Sequence, residues 1–177
     1  MDSRSVSKHI EELEYQSKPH RLLTLIFPLN PPRAQVLLGL KKRGFGQNKY
    51  NGFGGKVEPQ ESISQGAIRE LTEESCLRAR SVNKRGVLFF YFENDPVTME
   101  VHVFDTVEYE GEWEETEEMA PKWFGVGDMP FDRMWKDDER WWPMFIRGKK
   151  FIGRFWFLED QVTIVREELA EVDSLEF

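Results

Sequence analysis

Glu70, Glu73 and Glu74 stand at i, i+3 and i+4, the spacing that puts three side chains on one face of an α-helix. Carboxylates this close repel one another near neutral pH, and a hard cation removes that repulsion. Mg²⁺ takes oxygen ligands in octahedral geometry and completes its shell with water and substrate phosphates. Acidic runs also occur on solvated helix faces, so the spacing alone leaves that reading open. The preceding segment favours the metal. Gly44, Gly46, Gly52, Gly54 and Gly55 crowd residues 44–55, which reads as a loop whose backbone approaches something closely. Such a loop, delivered to a carboxylate-bearing helix, is a catalytic arrangement.

The elements that must position these residues follow from periodicity. Ile63, Ala67, Ile68 and Leu71 recur at helical spacing and predict a helix over Ser62–Ser75. Leu22–Leu29 and Val36–Leu40, separated by Asn30-Pro31-Pro32-Arg33, read as strand, turn, strand. Val87–Phe92 and Val101–Val107 read as two more, with Glu93-Asn94-Asp95-Pro96 turning between them. Lys122–Val126 is a shorter strand, Asp138–Arg147 a second helix, and Phe151–Phe157 with Val162–Arg166 a final hairpin. A short helix is expected at His9–Tyr15 in an otherwise polar segment. Mixed strands with two helices make an α+β fold, one sheet covered by helices. Residues 1–20 read as a polar tail, 21–172 as one domain and 173–177 as a second tail.

Composition narrows the function further. The 177 residues suffice for one domain with a proper core. A formal charge of −8 disfavours extended binding to nucleic-acid backbone, although a bound cation can still admit a small phosphate-bearing ligand. The single cysteine, Cys76, excludes an internal disulfide and suits a reducing compartment. No apolar run is long enough to cross a bilayer, and the acidic first twenty residues suit neither a signal nor a transit peptide. The cytosol is the expected location, with nuclear and mitochondrial pools left open.

Gly55-x₅-Glu61-x₇-Arg69-Glu70-Leu71-x-Glu73-Glu74-x-x-Leu77 resembles the Nudix box. It departs at Cys76, where the family has a glycine that ends the helix in a left-handed turn. The resemblance implies a Nudix fold (an α/β/α sandwich around a mixed sheet) and a pyrophosphohydrolase using Mg²⁺, with Mn²⁺ as substitute. It implies Glu70, Glu73, Glu74 and the carbonyl of Gly54 as metal ligands. Glu74 would orient or deprotonate the attacking water, and Arg69 and Glu61 would brace the carboxylates and the loop.

Lys41–Gly46, Tyr50–Gly55, Met99–Phe104 and Met134–Asp138 with Trp141 are further similar to the animal MutT-homologue enzymes, which hydrolyse oxidised purine nucleoside triphosphates. Carried over, that likeness implies a base pocket. Trp135 stacks on the purine, with Phe45, Phe53, Phe90 and Phe92 as apolar neighbours. Asn51, Asp137 and Asp138 read the hydrogen-bonding edge. Thr24, Lys41, Gly55, Lys56 and Trp141 complete the substrate-binding set, and Glu118 is a metal ligand outside the box. Lys136 stands where relatives often have proline.

Two carboxylates beside an apolar stacking surface should share a proton. Asp137 and Asp138 could then present donor-plus-acceptor or acceptor-only patterns, so that one pocket admits both an oxidised guanine and an oxidised adenine. The expected partner is a small nucleotide, without nucleic acid or membrane, and the expected state a monomer. The alternatives are a Nudix enzyme for methylated purine nucleotides, dinucleoside polyphosphates or nucleotide sugars, and a binding module that has lost hydrolysis.

Overall fold

The first strand shows how the chain divides its apolar residues. In β1 (His20–Asn30), Leu25 and Phe27 face one side of the sheet and Ile26 the other, so a single run of buried residues serves two cores. β2 (Gln35–Lys41) does the same, with Val36 and Leu38 on one side and Leu37 on the other. The computed structural model describes residues 19–175, so the helix expected at His9–Tyr15 lies outside the described residues.

The remaining strands are β3 (Tyr50–Asn51), β4 (Arg78–Ala79), β5 (Asn83–Phe92), β6 (Thr98–Thr106), β7 (Tyr109–Glu110), β8 (Met119–Gly125), β9 (Lys150–Phe157) and β10 (Ile164–Val172). The main sheet runs β10-β9-β5-β6-β1-β2-β3, with β8 along the other edge of β2. β1 pairs parallel with β6, and β5 parallel with β9. The other pairs in this sheet are antiparallel, which makes it mixed. β1 joins β2 through Leu29–Val36 and Asn30–Gln35, so their pairing is confined to the residues beside the connecting turn.

Helix α1 (Ile63–Ser75) covers one face. Ala67 and Leu71 pack with Ile26, Leu37, Phe53 and Phe104. Helix α2 (Asp138–Ile146) covers the other, where Trp141, Trp142 and Phe145 pack with Phe27, Phe151 and Phe155. The result is the expected α/β/α sandwich. A third cluster joins Val87 and Phe89 to Leu175, so the apolar core reaches a residue that the sequence places in a C-terminal tail.

Element boundaries differ from expectation in informative ways. Ser62 caps α1 rather than belonging to it, accepting from the Gln65 N–H at 3.2 Å while the Gln65 amide accepts from the Ser62 N–H at 2.7 Å. The glycine-rich segment contains β3, and Phe53 and Lys56 form isolated bridges to Ile26 and Leu23. The acidic stretch after β6 contains β7, which pairs with β4. β10 runs well beyond Arg166, because it pairs along the whole of β9 from Ile164 to Val172.

Candidate active site

The carboxylate helix is placed by its cap and held to the glycine loop by Arg69. This guanidinium donates to Glu61 at 2.8 and 3.1 Å, to Glu70 at 2.9 Å, to Glu73 at 3.1 Å and to the Lys56 carbonyl at 3.0 Å. Lys56 therefore contributes backbone, and its side chain does not line the pocket. Arg69 holds the Glu61 carboxyl below its ordinary pKa, chiefly through their hydrogen bonds.

Glu74 is the buried member of the trio, 3% exposed. One oxygen accepts from the Gly54 N–H at 2.9 Å and the other from Lys41 Nζ at 3.0 Å. Burial pushes the carboxyl of Glu74 upward in pKa, against the Lys41 ammonium and the Gly54 N–H. Burial likewise raises Glu70, against Arg69. Lys41 is buried enough to disfavour its charge, yet Glu74 and Glu118 outweigh this and hold its pKa above the ordinary value.

Glycine is required where the loop meets α1. A side chain on Gly55 would lie 2.5 Å from a Glu70 carboxylate oxygen, and one on Gly54 would run into the backbone of Thr24 and Leu25. Gly55 and Phe53 spend their carbonyls on the N–H groups of Thr24 and Ile26. Pairing alternates along such a segment, so the intervening Gly54 carbonyl turns away from β1.

These donors suit a hard divalent cation. They are all oxygens, they crowd one helix face, and two of them are disfavoured as anions by burial. Among the described residues, however, no three acidic, histidine or cysteine side chains converge into a ready-made cage. Arg69 and Lys41 hold the carboxylates instead. A cation here would take part of its shell from water and substrate phosphate, as Mg²⁺ usually does.

The loop opens into a cavity of about 170 Å³, and the residues on its walls divide by chemistry. Phe45, Phe90, Phe92 and Trp135 form aromatic wall, with Phe45 stacked on Trp135 at 4.8 Å between ring centroids and a 24° tilt. Thr24, Lys41, Asn51, Asp137 and Asp138 supply polar atoms, and Gly54 and Gly55 link the cavity to the helix. Asn51 Oδ1 accepts from the Gly52 N–H at 2.8 Å, which leaves its NH₂ to donate elsewhere. Thr24 Oγ1 is buried without a hydrogen-bond partner among the described residues, on a residue that lines the cavity.

Asp137 and Asp138 are 3% and 2% exposed. Asp137 occupies the N-cap position of α2, yet its side chain does not cap the helix; it accepts from the indole N–H of Trp141 at 3.0 Å. Asp138 accepts from the Trp135 N–H at 3.0 Å. Burial pushes Asp137 up to about 6. Burial, and then the neighbouring Asp137 charge, push Asp138 well above the ordinary carboxylate range.

Besides Lys56, two residues expected to touch substrate do not reach the cavity. Phe53 alternates with Gly52 and Gly54, so it points into the opposite core against Ile26 and Leu37. Trp141 lies one helical turn beyond Asp137, fully buried, and reaches the cavity only through that carboxylate. Glu118 stands at the rim, where Arg43 holds it below the ordinary carboxylate range.

Sequence reasoning missed Leu23, Leu25, Gly46, Gly52, Leu88, Met99, Val101, Met119 and Phe157, which also line the cavity. The period-2 pattern gave a signal for Leu88, which shares a face with Phe90 and Phe92, and for Val101, which shares one with Met99.

A carboxylate helix, a glycine loop and an adjoining aromatic cavity on an α/β/α sandwich define a class. The chain belongs to the Nudix family, whose NUDIX domain model matches residues 19–145. It is 48% identical over 154 residues to the oxidized purine nucleoside triphosphate hydrolase of Mus musculus, covering 87% of this chain and 97% of that protein. The Danio rerio protein of the same name is 47% identical over 155 residues, covering 88% and 97%. Among solved structures, a MutT protein from Bacillus halodurans superposes with a TM-score of 0.74 at 21% identity, covering 84% of this chain and 97% of that one, which speaks to the fold. Nudix hydrolases generally use a divalent metal. No helix among the described residues is long and apolar enough to cross a membrane.

Proposed function

We propose that this protein hydrolyses oxidised purine nucleoside triphosphates, of the 8-oxo-dGTP and 2-oxo-dATP type, to the monophosphate and pyrophosphate. The observation that carries the reading is the buried Asp137–Asp138 pair beside Trp135, in a cavity that also reaches Lys41, Gly54 and Gly55. The names of the mouse and zebrafish relatives point the same way.

Mg²⁺, held by Glu70, Glu73, Glu74, Glu118 and the Gly54 carbonyl, would neutralise charge on the phosphate chain and acidify its water. The other steps fall to this chain's own side chains. Glu74, anchored by the Gly54 N–H, accepts the proton of the attacking water. The water oxygen adds to phosphorus, the anhydride bond between the first and second phosphates breaks, and pyrophosphate leaves. Arg69 keeps Glu70 and Glu73 in register throughout. Trp135 stacks on the base, while Asn51 and the Asp pair read its edge. With one proton between them, Asp137 and Asp138 offer one donor and one acceptor; with none, two acceptors.

The substrate is expected to be drawn from the cytosolic nucleotide pool, and the protein to act as a monomer. The decisive measurement is kcat/KM across 8-oxo-dGTP, 2-oxo-dATP, O6-methyl-dGTP, diadenosine polyphosphates and unmodified dGTP, with and without Mg²⁺. Preference for a methylated purine or a dinucleoside polyphosphate would overturn the assignment of substrate. Absence of metal-dependent pyrophosphate release from every nucleotide would leave a binding module.

A further inference from the structure

Resting on that reading, we infer that Arg43 is a polyphosphate-binding residue that competes with the metal for Glu118. The two oxygens of Glu118 are divided between two cations. Oε1 accepts from Arg43 at 2.6 Å, and Oε2 lies 3.5 Å from Lys41 Nζ. Lys41 spends its other contact on Glu74 Oε1, at 3.0 Å. An alternating chain of charge, Arg43–Glu118–Lys41–Glu74, thus runs from the exposed rim to the buried carboxylate assigned as base. Arg43 adds a second, looser contact with Glu117 at 3.8 Å.

Each link of this chain is released only when its carboxylate finds another positive partner. A divalent cation drawn to Glu74 and Glu118 is such a partner. Once it binds, Lys41 loses both carboxylate partners and Arg43 keeps only its looser contact with Glu117, which leaves positive charge to spare for phosphate oxygens. A guanidinium suits that task, since its planar fork matches two phosphate oxygens at once. Arg43 is well exposed, so its ion pair is weak and its side chain free to re-aim. Lys42 is placed differently. Its ammonium donates to Glu115 at 2.7 Å and to the Thr116 carbonyl at 2.8 Å, contacts that a cation at Glu118 would leave intact.

The test compares Arg43→Gln and Lys42→Gln with the parent protein. Three equilibrium titrations serve: Mn²⁺ without nucleotide, followed by electron paramagnetic resonance; inorganic tripolyphosphate with saturating Mg²⁺; and 8-oxo-dGMP. Arg43→Gln is expected to bind Mn²⁺ about threefold more tightly, tripolyphosphate about tenfold more weakly, and 8-oxo-dGMP unchanged. Lys42→Gln is expected to match the parent in all three. Unchanged or weakened Mn²⁺ binding in Arg43→Gln would overturn the competition. A parallel loss for 8-oxo-dGMP, or equal losses in Lys42→Gln, would reduce Arg43 to a general effect of fold or net charge and overturn its role at phosphate. If the parent cleaves no triphosphate, the functional reading fails while the Mn²⁺ and tripolyphosphate titrations still decide the part played by Arg43.

Discussion

The indole N–H of Trp141 donates to Asp137 Oδ2 at 3.0 Å, so a fully buried core tryptophan aims a carboxylate at the cavity wall. On the proposed function Trp141 is a positioning residue, one helical turn from the group it holds. Trp141→Phe keeps the ring stack on Phe151 but leaves the Asp137 carboxylate short of a donor. The expected loss is about 2 kcal/mol of stability in urea unfolding, with a KM for the oxidised nucleotide raised more than kcat is lowered. Unchanged KM would mean that the bond serves packing alone.

The pH dependence of stability follows from the same pair. Burial raises both Asp137, to about 6, and Asp138 above their unfolded values, so the folded state holds protons that the unfolded chain has released. The stability this provides is fully present below the ordinary carboxylate pKa near 4 and is lost as pH rises through the folded values. Unfolding free energy should therefore fall between pH 4 and pH 7, by about 3 kcal/mol from Asp137 alone, with Asp138 adding to the fall. In Asp138→Asn the slope should flatten. A slope identical to the parent's would place the titrating groups elsewhere.

Asp138→Asn also tests base selection, because its amide can still accept from the Trp135 N–H while it can no longer exchange a proton with Asp137. The ratio of kcat/KM for 8-oxo-dGTP to that for 2-oxo-dATP should shift by about tenfold, and its pH profile should change as the two coupled titrations reduce to that of Asp137. If selectivity and pH profile both stay put, the shared-proton account of the pocket is wrong.

Glu74→Gln retains a side chain that can accept from the Gly54 N–H but cannot take a proton from water. Turnover should drop about a hundredfold or more, whereas 8-oxo-dGMP affinity should stay within a factor of two. Comparable loss in both would point to a collapsed loop rather than a missing base.

Cys76 ends α1 with φ at +64°, a left-handed conformation that costs a side-chain-bearing residue free energy. Cys76→Gly should raise stability by about 0.5–1 kcal/mol and leave kcat/KM unchanged, since the thiol is exposed and touches no carboxylate. A destabilised variant would show that the cysteine side chain makes a contact outweighing the strain.

The catalytic helix was legible because its signals are local. Apolar spacing and the i, i+3, i+4 glutamates lie within one short segment and agree with each other, whereas the capping role of Ser62 emerged only from the structure. The cavity was less legible because its walls come from strands far apart in sequence. Met99, Val101 and Phe157 join it through the β5–β6 and β5–β9 registers; period-2 spacing shows that Met99 and Val101 share a face but not which strand lies beside it. Phe53 shows the opposite failure. The family resemblance put it beside the base, yet strand alternation between Gly52 and Gly54, which do line the cavity, turns its ring into the opposite core. Trp141, expected in the substrate-binding set, is buried in the core and meets the cavity through Asp137.

The parallel pairing of β1 with β6 and of β5 with β9 carries a consequence for how the protein is made. α1 and its cap depend on contacts close in sequence and can form early. The base cavity needs β9, so Phe157 must have left the ribosome before that wall exists. During synthesis the carboxylate helix therefore takes shape before the walls of the cavity, and on the proposed function a stalled or truncated chain would hold acidic residues ready for a cation but no selectivity.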